Sequence, residues 1–69
     1  MVYTVTATHR FFDQPLVLER DVPFKRAAAR AWVSMYMMQA FPSVDWFAEM
    51  ANVRIGMGDE MLVPYYDFI

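Results

Sequence analysis

The sequence contains no cysteine, a single histidine and only two glycines. Without cysteine the chain can form neither a disulfide bond nor a thiolate metal site, which suits a reducing compartment. No stretch approaches the roughly 20 consecutive apolar residues that span a bilayer, and no basic segment leads into an apolar run at the N-terminus. We therefore expect a cytoplasmic protein, neither secreted nor inserted in a membrane.

Groups that could carry chemistry are also scarce. His9 has no serine or other nucleophile placed to pair with it, and nucleophilic catalysis needs such a pair. The acidic residues around the sequence GMGDE lack the spacing of a calcium-binding loop. The sequence predicts no enzyme, no metal site and no cofactor.

Large apolar side chains are plentiful instead. Of the 69 residues, 58% are hydrophobic and 17% are aromatic, whereas roughly 45 to 50% apolar residues is usual for a globular chain. A chain of this length has room for one domain, residues 1–69, with a small core. Apolar side chains in excess of that core indicate a surface that binds a partner.

The first third of the chain alternates apolar and polar residues with a period of two. Val2–Arg10 places Val5 and Ala7 on one face and threonines on the other, and Leu16–Asp21 follows after the turn-forming sequence FFDQP. Such alternation is typical of half-buried strands. We expect these two strands to form a hairpin.

One long helix is predicted from Val22 to Phe41. Asp21 and Pro23 suit its start, because an aspartate can cap the first turn and proline is tolerated there. The predicted sheet-facing stripe is Phe24, Ala28, Trp32, Met35 and Met38. The same spacing leaves Val33 and Met37 exposed, as a small apolar surplus beyond the basic start of the helix.

The second half predicts a short helix over residues 44–51 and two further strands. Ser43 is its expected N-cap, Val53–Met57 alternates as a strand, and Gly56 and Gly58 mark a tight turn. Met61–Tyr66 returns as a fourth strand that lies at an edge, since it contains Pro64. The order predicts an α+β fold, a ββα(α)ββ two-layer sandwich with both helices on one face of an antiparallel sheet.

Charge divides unevenly along the chain. Residues 1–31 carry five basic against three acidic residues, a net +2, and residues 32–69 carry one against five, a net −4. A basic cluster at the helix start could bind nucleic acid weakly, although a pI near 5.0 argues against it; its members are Lys25, Arg26 and Arg30. The acidic residues of the second half could instead bind a basic groove on a partner protein.

The predicted partner-binding surface combines these acids with aromatic residues of the second half, because tryptophan and tyrosine are enriched at interface hot spots. The C-terminal PYYDFI is expected to protrude as a patch. The predicted site comprises Asp45, Trp46, Glu49, Asp59, Glu60, Tyr65, Tyr66 and Asp67.

In size, composition and architecture the chain resembles the small phage-encoded inhibitors of host defence, including anti-CRISPR proteins. The segments concerned are VYTVTATHRFFDQPLVLERD, KRAAARAWVSMYMMQAF and DEMLVPYYDFI; they contain no shared motif, so no residue role follows. The resemblance implies a non-enzymatic protein that binds a host protein or ribonucleoprotein complex and blocks its nucleic-acid step.

Two other functions are compatible with the sequence. One is a homodimeric structural module that pairs through Val33, Met37 and an exposed sheet edge. The other is a nucleic-acid-binding domain that uses the basic cluster.

Overall fold

The computed structural model describes residues 2–21 and 26–69. Its elements confirm the α+β fold: four antiparallel strands, one long helix and one short helix. The strands are β1 (Val2–Thr8), β2 (Leu16–Asp21), β3 (Arg54–Met57) and β4 (Val63–Pro64), and the helices are α1 (Arg26–Ala40) and α2 (Trp46–Glu49). Two 3₁₀ turns, Met50–Asn52 and Tyr65–Asp67, complete the described part of the chain.

The predicted hairpin of β1 and β2 is confirmed. Val5 lies opposite Leu18 of β2 and opposite Met57 of β3, in a sheet of order β2-β1-β3-β4. The predicted alternation of buried and exposed side chains is confirmed, because Val5, Ala7 and Leu18 are buried whereas Val17 is exposed. The threonine side chains of β1 therefore lie on the face of the sheet away from the core.

Gly56 near the end of β3 and Gly58 in the turn after it both occupy positions that favour glycine. Gly58 has a φ of 60°, a backbone conformation that glycine adopts without steric cost. Gly56 lies beneath the returning chain, where a Cβ atom would come within 2.8 Å of Leu62 Cδ2. The predicted turn is confirmed, and β4 is an edge strand of only two residues, shorter than predicted.

The predicted inner face of α1 is wrong. Ala29, Val33 and Met37 are completely buried, whereas Met35 and Met38 are 57% and 53% exposed. The helix is apolar on nearly all sides, so hydrophobic spacing alone fits either face. Phe24, Lys25 and the predicted helix start at Asp21 to Pro23 lie outside the described residues or at their boundary, and that part of the prediction is not assessed by the structure.

The short helix begins later than predicted. Asp45 is its N-cap, and one carboxylate oxygen accepts a hydrogen bond from the Ala48 N–H at 3.4 Å. Ser43 is therefore not the cap. Trp46, which the sequence placed on the partner-binding surface, is buried, and the neighbouring Phe47 is 85% exposed.

The C-terminal segment packs onto α1 and does not protrude. Tyr65 and Phe68 are buried. The Tyr65 hydroxyl forms a hydrogen bond with Ser34 Oγ at 2.7 Å and donates to the Arg30 carbonyl oxygen at 3.3 Å. Only Tyr66 and Ile69 of the predicted apolar patch remain well exposed.

Candidate functional site

A cavity opens between the hairpin loop and the C-terminal half of α1. Its volume is about 330 Å³, within the range of roughly 300 to 1,000 Å³ typical of ligand pockets. Aromatic and aliphatic side chains supply most of its walls. The lining residues are Phe11, Phe12, Asp13, Gln14, Pro15, Leu16, Val17, Tyr36, Ala40 and Phe41.

A second cavity of about 160 Å³ continues along the same side of the molecule. Tyr36 lines both cavities, so they adjoin. The second one is formed by Leu18, Trp32, Met35, Tyr36 and Gln39. We call the two cavities together the β2–α1 groove.

The groove arises from the position of β2 and from the composition of α1. Strand β2 is the last strand on its side of the described sheet. Because α1 is apolar on several faces, packing Val33 and Met37 into the core leaves Met35 and Tyr36 at the surface beside β2. Exposed apolar side chains thus gather where the sheet ends.

Asp13 is the single charged residue among those that line either cavity. Its carboxylate lies in the hairpin loop, at the end of the groove near Phe11 and Phe12. The Arg10 guanidinium also lies near this end, 5.2 Å from the Phe11 ring centroid, and donates to Glu49.

An aromatic cluster supports the floor of the larger cavity. Phe12 stacks on Phe41 with ring centroids 5.6 Å apart, and Phe41 meets Trp46 edge-on at 5.7 Å. The His9 ring contacts Trp46 at 4.9 Å. Such geometries stabilise aromatic pairs beyond the area they bury, which holds the hairpin loop against the C-terminal end of α1.

His9 has a structural role within this cluster. The Phe11 N–H donates to Nδ1 at 3.0 Å, and because a backbone N–H can only donate, Nδ1 carries no proton. The proton is then on Nε2, which donates to Glu49 Oε2 at 2.9 Å. Both ring nitrogens are engaged inside the protein, so this geometry does not favour His9 as a general base.

Glu49 joins α2 to the end of β1. Asn52 donates to Glu49 Oε2 at 3.1 Å, and Arg10 donates to Oε1 at 2.9 Å. These hydrogen bonds, from Asn52 first and then His9 and Arg10, lower the pKa of the Glu49 carboxyl below its ordinary value of 4.5. Glu49 is therefore an anchor within the fold, whereas the sequence suggested a partner contact.

Two aromatic members of the predicted partner-binding surface are in the core. Trp46 and Tyr65 are 2% and 8% exposed, so these two side chains do not lie on the surface, and their contact with a partner stays a prediction. Sequence patterning missed this because each lies next to a similar aromatic residue, Phe47 and Tyr66, and those neighbours are the exposed ones.

The predicted acidic residues do not form one surface. Asp45 and Glu49 precede β3 whereas Asp59 and Glu60 follow it, so the two pairs lie at opposite ends of that strand. Glu60 forms an ion pair with Arg26. Asp59, Tyr66 and Asp67 are exposed, and their role in binding stays a prediction.

The basic cluster faces the C-terminal segment. The Arg26 guanidinium lies 4.7 Å from the Phe68 ring centroid, and that of Arg30 lies 4.7 Å from the Tyr65 ring centroid. Lys25 lies outside the described residues. These cation–π contacts give both arginines a structural role, and binding of nucleic acid by this cluster stays a prediction that the geometry does not favour.

Sequence analysis missed the residues of the β2–α1 groove. A signal was present in the paired aromatics Phe11 and Phe12, which stand in a turn sequence where polar residues are usual. Locating the groove also required the correct face of α1. With that face reversed, Tyr36 and Met35 could not be placed beside β2.

Neither helix in the described part of the chain has the length and hydropathy needed to cross a bilayer. Within residues 2–21 and 26–69, no three histidine, aspartate or glutamate side chains come together as a metal site would require. No protein-family model, curated protein or solved structure matches this chain.

Proposed function

We propose that this chain is a non-enzymatic protein-interaction module that binds a protein or ribonucleoprotein complex of a bacterial host and inhibits it. The supporting observation is the β2–α1 groove, where exposed apolar side chains from the loop, the strand and the helix surround two adjoining cavities. Contiguous apolar surface of this kind marks interaction sites in soluble proteins. The large apolar contributors that are exposed are Phe11, Val17, Met35 and Tyr36.

Binding is better supported than catalysis because the best candidate for a catalytic base is fully engaged. His9 accepts at Nδ1 and donates at Nε2 within the aromatic cluster. A general base must be within hydrogen-bond reach of the proton that it abstracts from a substrate. The groove itself offers apolar contact area with one carboxylate, which suits recognition.

The inhibitory part of the proposal rests on the resemblance to phage-encoded inhibitors and on charge. Proteins that handle nucleic acid present basic surfaces to its phosphates. The chain has a net charge of −2, and Asp13 places one of its carboxylates at the groove. A small acidic binder that occupies such a surface would block access of nucleic acid.

Phage plating tests this function directly. Bacterial strains that each carry one nucleic-acid-guided defence system are challenged with a targeted phage, with and without expression of the chain. We expect the chain to restore plating against at least one system. Equal plating with and without the chain, at matched expression, in every such strain would contradict an inhibitory role.

A matched pair of variants connects the activity to the groove. Met35 and Met38 lie on the same helix with nearly equal exposure, 57% and 53%, but only Met35 lines the groove. We expect Met35→Glu to abolish restoration of plating and Met38→Glu to retain it. If both variants retain full activity, the inhibitor acts through another surface.

A further inference from the structure

We infer that the β2–α1 groove binds an extended segment of the partner protein, which adds to the outer edge of β2 as a fifth strand. The segment would carry two large apolar side chains separated by one residue, and a lysine or arginine near Asp13. This inference rests on the proposed function in one respect, that the chain binds a protein.

The outer edge of β2 supports strand addition. In the described sheet β2 pairs with β1 on one side, and no further described strand pairs with it on the other. Leu16 and Val17 both line the larger cavity, although neighbouring residues of a strand point to opposite faces of the sheet. The cavity therefore reaches the edge of β2 at the first two residues of the strand, where an added strand would begin.

The spacing of the cavities predicts the spacing of the side chains. The larger cavity adjoins β2 at Leu16 and Val17, and the smaller one adjoins it at Leu18. Residues i and i+2 of a paired strand point the same way, roughly 6.6 to 6.8 Å apart. Two apolar side chains at that separation would enter the two cavities, the bulkier one in the cavity of about 330 Å³.

The charge of the groove predicts the chemistry at one end of the segment. Asp13 is the only charged residue of the lining. A lysine or arginine beside the Asp13 carboxylate gains a favourable interaction, whereas an aspartate or glutamate would be repelled. The segment is thus apolar and basic in character.

A second copy of this chain fits the groove poorly. Its own β2 would have to supply apolar side chains two residues apart on the helix side of the sheet. The residues in that position are Leu16 and Leu18, and Leu18 is already buried in its own core. A different protein, with an unoccupied apolar strand segment, is the expected occupant.

Selection from random peptides tests the inference without knowledge of the partner. Phage-displayed peptides of about ten residues, long enough for one strand, are selected on the immobilised full-length chain. The expected consensus has two large apolar residues separated by one position and an adjacent lysine or arginine. Failure to enrich any such pattern would overturn the inference.

A synthetic peptide with the selected sequence then separates groove binding from other modes. Its affinity, measured by fluorescence anisotropy, should fall by about tenfold or more with Met35→Glu and stay unchanged with Met38→Glu. Asp13→Asn should remove the preference for lysine over glutamine at the basic position while leaving the apolar preference. Equal loss with Met35→Glu and Met38→Glu, or an unaltered lysine preference in Asp13→Asn, would contradict the model of the bound segment.

Backbone pairing is tested with the same peptide. N-methylation of alternate amides removes donors along one edge, so one of the two alternating series should lose binding while the other retains it. Equal affinity of both series would exclude strand addition. Circular dichroism spectra of the protein variants matching wild type establish that lost binding does not reflect unfolding.

The outcomes distinguish this inference from the proposed function. Restored phage plating that depends on Met35, without a selected strand-like peptide, would overturn the inference and leave the function supported. A selected peptide that binds as described, without any effect on plating, would support the inference and contradict inhibition. Dimerisation in sedimentation equilibrium that is lost with Met35→Glu but not Met38→Glu would overturn the inference in favour of a second copy.

Discussion

The β2–α1 groove and the C-terminal segment, residues 63–69, are both rich in aromatic side chains. The aromatic side chains of the C-terminal segment pack mainly against α1, whereas those of the groove stay partly exposed. The C-terminal segment is held on α1 along the stretch from Arg26 to Ser34, because Arg26 contacts Phe68 and Ser34 bonds to Tyr65. The C-terminal half of α1 lies beside the outer edge of β2, and Tyr36 stays half-exposed there. Aromatic content alone therefore does not locate a binding surface. The rest of the chain must also leave those aromatic side chains exposed.

Replacement of Trp46 should have the largest effect. Its ring is 2% exposed and contacts His9, Phe12 and Phe41, so Trp46→Ala should lower the free energy of unfolding by about 3 to 5 kcal/mol. The adjacent Phe47, 85% exposed, is the matched control, and Phe47→Ala should change it by less than about 0.5 kcal/mol. Urea denaturation followed by circular dichroism measures both. Similar losses in the two variants would contradict the assigned orientation of α2.

A second pair of substitutions tests which face of α1 is buried. Met37→Ala should lower the free energy of unfolding by about 2 to 5 kcal/mol, because Met37 is completely buried. Met35→Ala should cost less than about 0.5 kcal/mol, since the Met35 side chain is more than half exposed. Urea midpoints are the readout. The reverse order would restore the face predicted from sequence spacing and remove the groove.

The docking of the C-terminal segment is tested by single hydroxyl deletions. Tyr65→Phe removes the hydrogen bonds to Ser34 Oγ and to the Arg30 carbonyl, and should cost about 0.5 to 1.5 kcal/mol. Tyr66→Phe alters an exposed hydroxyl and should be close to neutral. Thermal unfolding compares the two. If Tyr65→Phe is as neutral as Tyr66→Phe, the segment does not dock through this hydroxyl.

The smallest expected effect is the pH dependence of the free energy of unfolding that Glu49 contributes. The pKa of Glu49 is lowered in the folded protein by its hydrogen bonds to Asn52, His9 and Arg10. At pH values near the two pKa values, the unfolded state therefore binds more protons than the folded state. Its stabilising contribution is complete above the ordinary value of 4.5 and is lost as the pH falls through the lower folded value. Wild type should therefore be more stable than Glu49→Gln near neutral pH, and the difference should shrink in acid. A difference that is constant with pH would contradict this role.

The strands were predictable because their signals are local. Alternation in β1 and β2 places Val5, Ala7 and Leu18 on one face, and only one register buries them together. The Gly58 turn likewise follows from its backbone requirement. The pattern of strands and helices then fixes the α+β class.

The candidate site was not predictable because it depends on the rotation of α1. A helix with apolar residues on several faces has no single hydrophobic direction, and its contact with the sheet is decided by packing between distant residues. The same holds for α2, whose rotation turns Trp46 inward and Phe47 outward. Small shifts of this kind reverse which aromatic residue of a neighbouring pair is exposed.

Nuclear magnetic resonance gives the most direct test of the central claim, that the chain binds its partner through the β2–α1 groove. The ¹⁵N-labelled chain is titrated with the selected peptide, and backbone amide shifts are mapped. We predict that the largest shifts fall on residues 16–18 of β2 and 35–40 of α1. Shifts confined to residues 45–49 and 59–67, the acidic and aromatic surface suggested by the sequence, would contradict the claim.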